Sequence, residues 1–355
     1  MTPARAPELC TGDRLLVTRL DYLGDVVLSL PLVDALRARW PGLEVDYLSR
    51  RPATDLLSRD PRLTRVWTQS DGVRATASLV SSLRTRSYRA VIDLYSNPRS
   101  AWLSWSTGAR VRVGGNRRGR RHLYTHPIVV PRDVRRVTDV FMRYGVPLGL
   151  DATRPAPKPS LSIQPDEAAA ADALLAHHLG GAAAGDARKR IGVHPGGKWS
   201  VKRWPAEKFV DLIRILENEL DAEVVVFTGP EECQATERVR SQTTARTAFL
   251  EVLPIRTVAA VISRLDAMIA CDGGVMHVAA AVGTPTVGIF GSSEPEVWFP
   301  YAGAGPYRAA YIDVECRPCH RHECPLGHTR CLNELTADAV ARNLRDALAQ
   351  AKGSR

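Results

Sequence analysis

The residues able to do chemistry sit in a few short loops. In Asp21-Tyr22-Leu23-Gly24-Asp25, Gly24 permits a tight turn and Asp25 stands at a helix start. A carboxylate there either caps the first free amides of the helix or acts as a general base. In "HPGGKWSVKRWP", His194 to Pro205, Gly196 and Gly197 let the backbone approach a bound group, and Lys198, Lys202 and Arg203 supply positive charge. That combination suits a diphosphate; the plainer alternative is a solvated basic loop packed by Trp199 and Trp204. The loop lacks the Gly-Lys-Ser/Thr ending of a Walker motif, which disfavours an ATPase.

In "ACDGGVMHVAAAVG", a buried strand runs through Asp272-Gly273-Gly274 into a helix of small residues. The free amides and partial positive charge of such a helix start favour phosphate. Read more simply, Asp272 is an N-cap and His277 points into the core. Glu231, in "GPEE", follows another strand. A carboxylate at a strand end binds ribose hydroxyls in nucleotide folds, or is merely solvated.

Further clusters carry charge or sulfur. "GARVRVGGNRRGRRHLYTH" holds Arg110, Arg112, Arg117, Arg118, Arg120 and Arg121. Arginine forks bind carboxylate and phosphate in bidentate fashion, although the same run could be a solvated loop. Cys316-x2-Cys319-x4-Cys324-x6-Cys331 could hold a structural zinc. The alternatives are reduced structural thiols or redox-sensitive pairs, and His320, His322 and His328 compete as ligands.

Loops of this kind need strands to carry them. "RLLVTRL" (Arg14–Leu20), "LEVDYLS" and "RAVIDLYS" read as strands, and "VVLSLPLVDALRARWPG" as a helix that Pro31 kinks or starts afresh. The proline-rich stretch Asp151–Pro165 reads as a linker. Beyond it come a helix, "DEAAAADALLAHHLG", and the flexible loop "GAAAGDARK". A second series then alternates strands ("RIGVHPG", "AEVVVFTG", "DAMIACD", "TPTVGIFG") with helices ("AEKFVDLIRILENEL", "GVMHVAAAVG"), and "TADAVARNLRDALAQAK" forms a last helix. Strands alternating with helices indicate largely parallel sheets, so the pattern predicts two doubly wound α/β halves. In such sheets ligands bind beyond the carboxyl ends of the strands, where the chemistry-bearing loops lie.

Composition narrows the class. The 355 residues are 45% hydrophobic and 24% charged, ordinary globular values. Lys and Arg number 48 against 38 Asp and Glu, a net +10 that calls for an anionic partner. Seven cysteines are too few for a disulfide scaffold. Neither a signal peptide nor an apolar run of about 18 residues is present, which predicts a cytoplasmic protein. A nucleic-acid binder would explain the charge but not the glycine-rich loops, and no nucleic-acid module is recognisable.

The segments "RLDYLGDVVLSLPLVDALR", "VHPGGKWSVKRWP", "FTGPEE", "DGGVMHVAAAVGTPTVGIFG" and "CRPCHRHECPLGHTRC", in this order, resemble the glycosyltransferase family nine heptosyltransferases of lipopolysaccharide core assembly. The resemblance implies a GT-B fold: two Rossmann-like domains facing across a cleft, with a C-terminal helix closing the chain. On this reading residues 1–158 form an acceptor-binding domain, 159–335 a nucleotide-sugar-binding domain and 336–355 the closing helix and tail. It implies inverting transfer from ADP-heptose without a metal cofactor, to an anionic lipid-linked glycan at the inner face of the cytoplasmic membrane, with no nucleic acid partner. By resemblance Asp25 is the base and Lys202 stabilises the departing diphosphate. Glu231 holds the nucleotide ribose, and Asp272, Gly273, Gly274 and His277 cradle phosphates beside Gly196, Gly197 and Lys198. Arg117, Arg118, Arg120 and Arg121 receive the acceptor. The chain departs from the family at Gly273 and Gly197, where members often carry a hydroxyl residue. The alternatives are a related transferase using another nucleotide sugar or glycan, and an inactive sugar- or nucleotide-binding relative.

Overall fold

The computed structural model describes residues 9–179, 188–230, 233–243 and 246–353. The chain divides into two compact units, Met1–Pro159 and Ser160–Arg355. The first contains β1 (Arg14–Thr18), β2 (Glu44–Ser49), β3 (Arg65–Thr68), β4 (Ala90–Asp93), β5 (Val111–Gly115) and β6 (His126–Ile128). They form one sheet in the order β3-β2-β1-β4-β5-β6, with every neighbouring pair parallel.

The second unit contains β7 (Arg190–His194), β8 (Glu223–Phe227), β9 (Thr247–Leu250), β10 (Ala267–Cys271), β11 (Thr286–Ile289) and β12 (Tyr307–Ala310). Its order is β12-β11-β10-β7-β8-β9, again all parallel. Counted from its own first strand, this is the arrangement of the first unit repeated. Both sheets have the Rossmann order, whose direction reverses between the first and fourth strands and opens a crevice beyond their carboxyl ends. Thr18 pairs with Asp93 and Ala270 with His194, so the two strands flanking each crevice end nearly level.

Burial explains why the strands form. Leu15, Leu16, Val17, Val91 and Ile92 are at most 1% exposed, as are Ile191, Val193, Val224, Val226 and Ile269. A strand covered by helices on both faces reads as a continuous apolar run rather than an alternating one. In the second unit, the helix Ala206–Glu219 and the final helix Ala337–Gly353 pack together. Their buried residues, Phe209, Ile213, Val340 and Leu344 among them, join the core under the sheet.

The single helix expected after β1 is two. Leu23–Leu28 stops at Ser29, and Leu30–Arg39 restarts with Pro31 in its first turn. Proline has no N–H to give an interior helix bond, and a first turn is where that loss costs nothing. The Ser29 hydroxyl, buried at the junction, donates to the Val26 carbonyl at 2.7 Å and shares a 2.6 Å hydrogen bond with the Tyr47 hydroxyl. The proline-rich stretch is irregular until the helix Pro165–His178 begins. Most of the loop "GAAAGDARK" lies outside the described residues.

Candidate active site

In the first unit, the crevice loops follow β1 and β4. Asp25 is 8% exposed and occupies the third position of its helix, not the N-cap; Tyr22 holds that place. Its carboxylate reaches back one turn and accepts the Tyr22 amide at 3.3 Å, so capping is done from inside the helix. The other oxygen, Oδ1, lies 2.9 Å from Arg19 Nη2. The Arg19 guanidinium also donates to the Leu94 carbonyl at 3.2 Å and lies 4.6 Å from the centre of the Tyr95 ring. One arginine thus ties the Asp25 loop to the loop after β4.

That second loop is shaped by Asp93, fully buried at the end of β4. Its Oδ1 accepts the amides of Tyr95 and Ser96 at 3.0 and 2.9 Å, and Oδ2 accepts the Tyr124 hydroxyl at 2.6 Å. Burial pushes the Asp93 carboxyl above its usual range, opposed by these hydrogen bonds. Tyr124 closes the arginine-rich segment, which runs from β5 through a 3-10 turn, Arg121–Leu123, into β6. Arg117, Arg118 and Arg121 are exposed and Arg120 is half-buried. Arg112 differs from them: it donates to the Leu123 and Ala109 carbonyls at 2.8 and 2.5 Å and pins the segment.

In the second unit, the loop after β7 turns through Pro195, Gly196 and Gly197, all buried, into a 3-10 turn at Ser200–Lys202. A Cβ on Gly197 would lie 2.8 Å from the Lys202 carbonyl oxygen, so only glycine lets the loop fold back this tightly. Arg203 staples the fold-back by donating from Nε to the Gly197 carbonyl at 2.6 Å. Lys198 is exposed. The Lys202 ammonium lies 2.6 Å from Asp272 Oδ2 and 5.0 Å from the centre of the Trp199 ring. The pair is little exposed, 15% for the Lys202 side chain and 3% for that of Asp272.

Asp272 ends β10, and the helix Gly274–Ala281 follows at once. Its N-cap is Gly273, not Asp272, and no side chain caps it. The Asp272 carboxylate is instead drawn to Lys202 and to the Ser293 hydroxyl, which donates to it. Gly273, Gly274 and Val275 stay partly exposed at the helix start. The backbone of Gly273 is extended, at φ −177°, and a Cβ there would meet nothing closer than 3.7 Å. His277 is 3% exposed, and its Nδ1 lies 3.0 Å from the Tyr301 hydroxyl. Burial lowers its pKa to about 4, with Asp272 opposing and Lys202 adding to the shift. It is therefore neutral near pH 7 and sits in the floor beneath the helix start. Burial lowers His194, at the end of β7, to about 4 as well. Glu231 lies outside the described residues.

The cysteine segment braces this site. Arg317 donates to the Gly291 and Ser293 carbonyls, both at 2.9 Å, and so fixes the serine that holds Asp272. His322 stacks on Trp199 with ring centroids 3.9 Å apart. His320 lies 3.1 Å from Glu294, and His328 Nδ1 accepts the Arg330 amide at 3.1 Å. Cys316, Cys319, Cys324 and Cys331 are free thiols around one small cavity. Backbone amides of residues 326–329 hydrogen-bond to Cys324 and lower its thiol pKa. Among the described residues no group of three or more His, Cys, Asp or Glu side chains is placed to hold a metal ion.

Arg19, Asp93, Ser293 and Arg317 were not singled out as site residues from sequence. Arg19 and Arg317 do stand inside the motif segments, and Ser293 lies two residues beyond "GIFG", which is the one signal that could have marked them.

Two Rossmann-type units, each with polar and charged groups beyond the ends of its first and fourth strands, form a framework suited to nucleotide-linked ligands. The chain belongs to glycosyltransferase family 9 (heptosyltransferase), whose model matches residues 76–330. Among curated proteins, it is 24% identical over 304 residues to the lipopolysaccharide core heptosyltransferase OpsX of Haemophilus influenzae, covering 81% of each chain. Among solved structures, it superposes on a family 9 glycosyltransferase from Veillonella parvula with a TM-score of 0.82, at 23% identity, covering 98% of this chain and 99% of that one. The E. coli ADP-heptose lps heptosyltransferase II gives 0.80 at 22% identity, covering 96% and 99%. The fold is GT-B, and the protein is a glycosyltransferase.

Proposed function

We propose that this enzyme moves a heptose from ADP-heptose to an inner-core sugar of lipopolysaccharide, with inversion and without a metal. The observation that carries the donor half is the Lys202–Asp272 pair beside the uncapped start of Gly274–Ala281. Cleaving the anomeric bond leaves negative charge on the diphosphate. Lys202 and the first amides of that helix are preorganised to receive it, replacing the cation a metal would supply. Asp272 and Ser293 fix the lysine, and the fold-back at Gly197 sets its height. The similar fold of the E. coli ADP-heptose lps heptosyltransferase II supports this donor and acceptor.

The acceptor half rests on Asp25. Its carboxylate is held by Arg19 and the Tyr22 amide, an orientation suited to taking a proton from a sugar hydroxyl. Attack by that oxygen opposite the departing diphosphate inverts the anomeric carbon. The exposed arginines 117, 118 and 121 suit the phosphates and carboxylates of an inner-core glycan. Glu231 is assigned to the nucleotide ribose, and residues 1–158 and 159–335 to acceptor and donor, on the family resemblance. No helix among the described residues is long and apolar enough to cross a membrane. We place the enzyme at the cytoplasmic face of the inner membrane, where a lipid-linked acceptor would be.

A panel of nucleotide sugars read by thermal shift tests the donor. ADP-heptose should raise the melting temperature most, and an equal or larger shift with another nucleotide sugar would reassign it. Turnover undiminished by a chelator is expected, and loss restored by added metal would reject the metal-free mechanism.

A further inference from the structure

The helix Pro98–Ser106, which follows β4, carries Trp102 and Trp105 three positions apart and therefore on one face. They are 43% and 50% exposed, while Leu103 and Ser104 between them are buried. Two tryptophans exposed side by side form an apolar patch that a soluble surface ordinarily avoids. The face is rigidly presented. Asn97 and Ser100 cap the helix reciprocally, the Ser100 amide donating to Asn97 Oδ1 at 2.7 Å. At the other end the Ser106 carbonyl accepts Arg84 Nε at 2.9 Å.

The surroundings are cationic. From Leu94 to Pro131 the chain has seven arginines and no Asp or Glu. Arg99 precedes Trp102 by one turn on the same face and is exposed, with its guanidinium 2.8 Å from Asp71. The 3-10 turn Arg121–Leu123 packs directly against the helix and brings exposed Arg121, with Arg117 and Arg118 in the preceding loop.

From this juxtaposition we infer that the Trp102–Trp105 face is a docking surface for an anionic lipid bilayer. Indole rings settle at the headgroup level, apolar body inward and N–H outward. Neighbouring arginines meet headgroup phosphates, and each adds to the attraction of an anionic leaflet. A second copy of the same basic face would be repelled, which selects the membrane over self-association. The inference deepens the proposed function and rests on it for its purpose, since a lipid-linked acceptor lies in that same surface.

The test is cosedimentation of the full chain with vesicles of phosphatidylcholine alone and of phosphatidylcholine mixed with phosphatidylglycerol. Binding to the anionic vesicles should exceed binding to the neutral ones by about tenfold or more and weaken with salt. The double variant Trp102→Ser/Trp105→Ser should lose about tenfold in vesicle affinity, with unchanged kcat on a detergent-dispersed acceptor. The milder Trp102→Phe/Trp105→Phe should bind between the two. Equal binding to both vesicle types, equal binding by wild type and the serine variant, or a dimer that the serine variant dissolves would each overturn the inference. Vesicle binding by a protein that transfers sugar to no lipopolysaccharide acceptor would uphold it and reject the heptosyltransferase reading instead.

Discussion

In the first unit, the charged pair at the crevice lies within the loop after the first strand, Arg19 to Asp25, and the arginine reaches across to the loop after the fourth. In the second, the pair itself spans the two loops, Lys202 from one and Asp272 from the other. The scaffold is the same and the roles are exchanged. Where the first unit presents a carboxylate and uses a cation to hold it, the second presents a cation and uses a carboxylate to hold it. A Rossmann crevice thus fixes a location and leaves the sign of its chemistry to a few loop residues. A base that takes a proton and a cation that receives a leaving group are the two devices the proposed metal-free sugar transfer needs.

The contrast can be broken one unit at a time. Asp25→Asn should reduce kcat by roughly 10³-fold or more while calorimetry shows unchanged affinity for the donor; a comparable loss of donor affinity would mean the carboxylate does not serve the acceptor. Lys202→Ala should lower kcat by about 10²-fold and weaken binding of the nucleoside diphosphate as well. Unchanged kinetics would remove it from the site. Replacing Arg117, Arg118, Arg120 and Arg121 together with alanine should raise the acceptor KM by about tenfold, with the donor KM unaffected.

The remaining effects concern stability and fall mainly on the second unit. His277 is buried neutral, with its pKa lowered to about 4. The unfolded chain therefore binds its proton first, near pH 6.5, and the folded state only near pH 4. Stability should be full above about pH 6.5 and decline as pH falls toward 4. His277→Gln should make that part of a melting-temperature profile shallower, His194 retaining a decline of its own. The smallest effect is at Gly273, whose extended backbone and free space admit a side chain. Gly273→Ser should cap the helix and stabilise by a few tenths of a kcal/mol, whereas Gly197→Ala should destabilise because its Cβ meets the Lys202 carbonyl.

The interior strands could be read from the sequence because burial on both faces leaves an unbroken apolar signature, as in "RLLVT" and "AMIAC". The edge strands β3 and β6, "RVWT" and "HPI", carry no such signature; pairing with an already formed sheet makes them strands. The same limit applies to the caps. Asp25 and Asp272 are both good N-cap residue types at helix starts, and neither is the N-cap. Arg19 draws one carboxylate, and Lys202 with Ser293 draws the other. Local preference was outweighed at Asp25 by an arginine of the same loop and at Asp272 by Lys202 and Ser293 from other loops, pairings that no capping rule records. Asp93 was similarly hidden, since a carboxylate inside an apolar strand announces nothing until Tyr124 is known to meet it.

The brace formed by Arg317 and His322 has a consequence for biogenesis. Ser200 and His322 are 122 positions apart, so the loop carrying Lys202 leaves the ribosome long before the segment that braces it. Joining them closes a long loop at an entropic cost that the hydrogen bonds of Arg317 and the ring stack must offset. A nascent chain halted soon after β12 can complete the second sheet while the Lys202 end of its crevice still lacks this buttress.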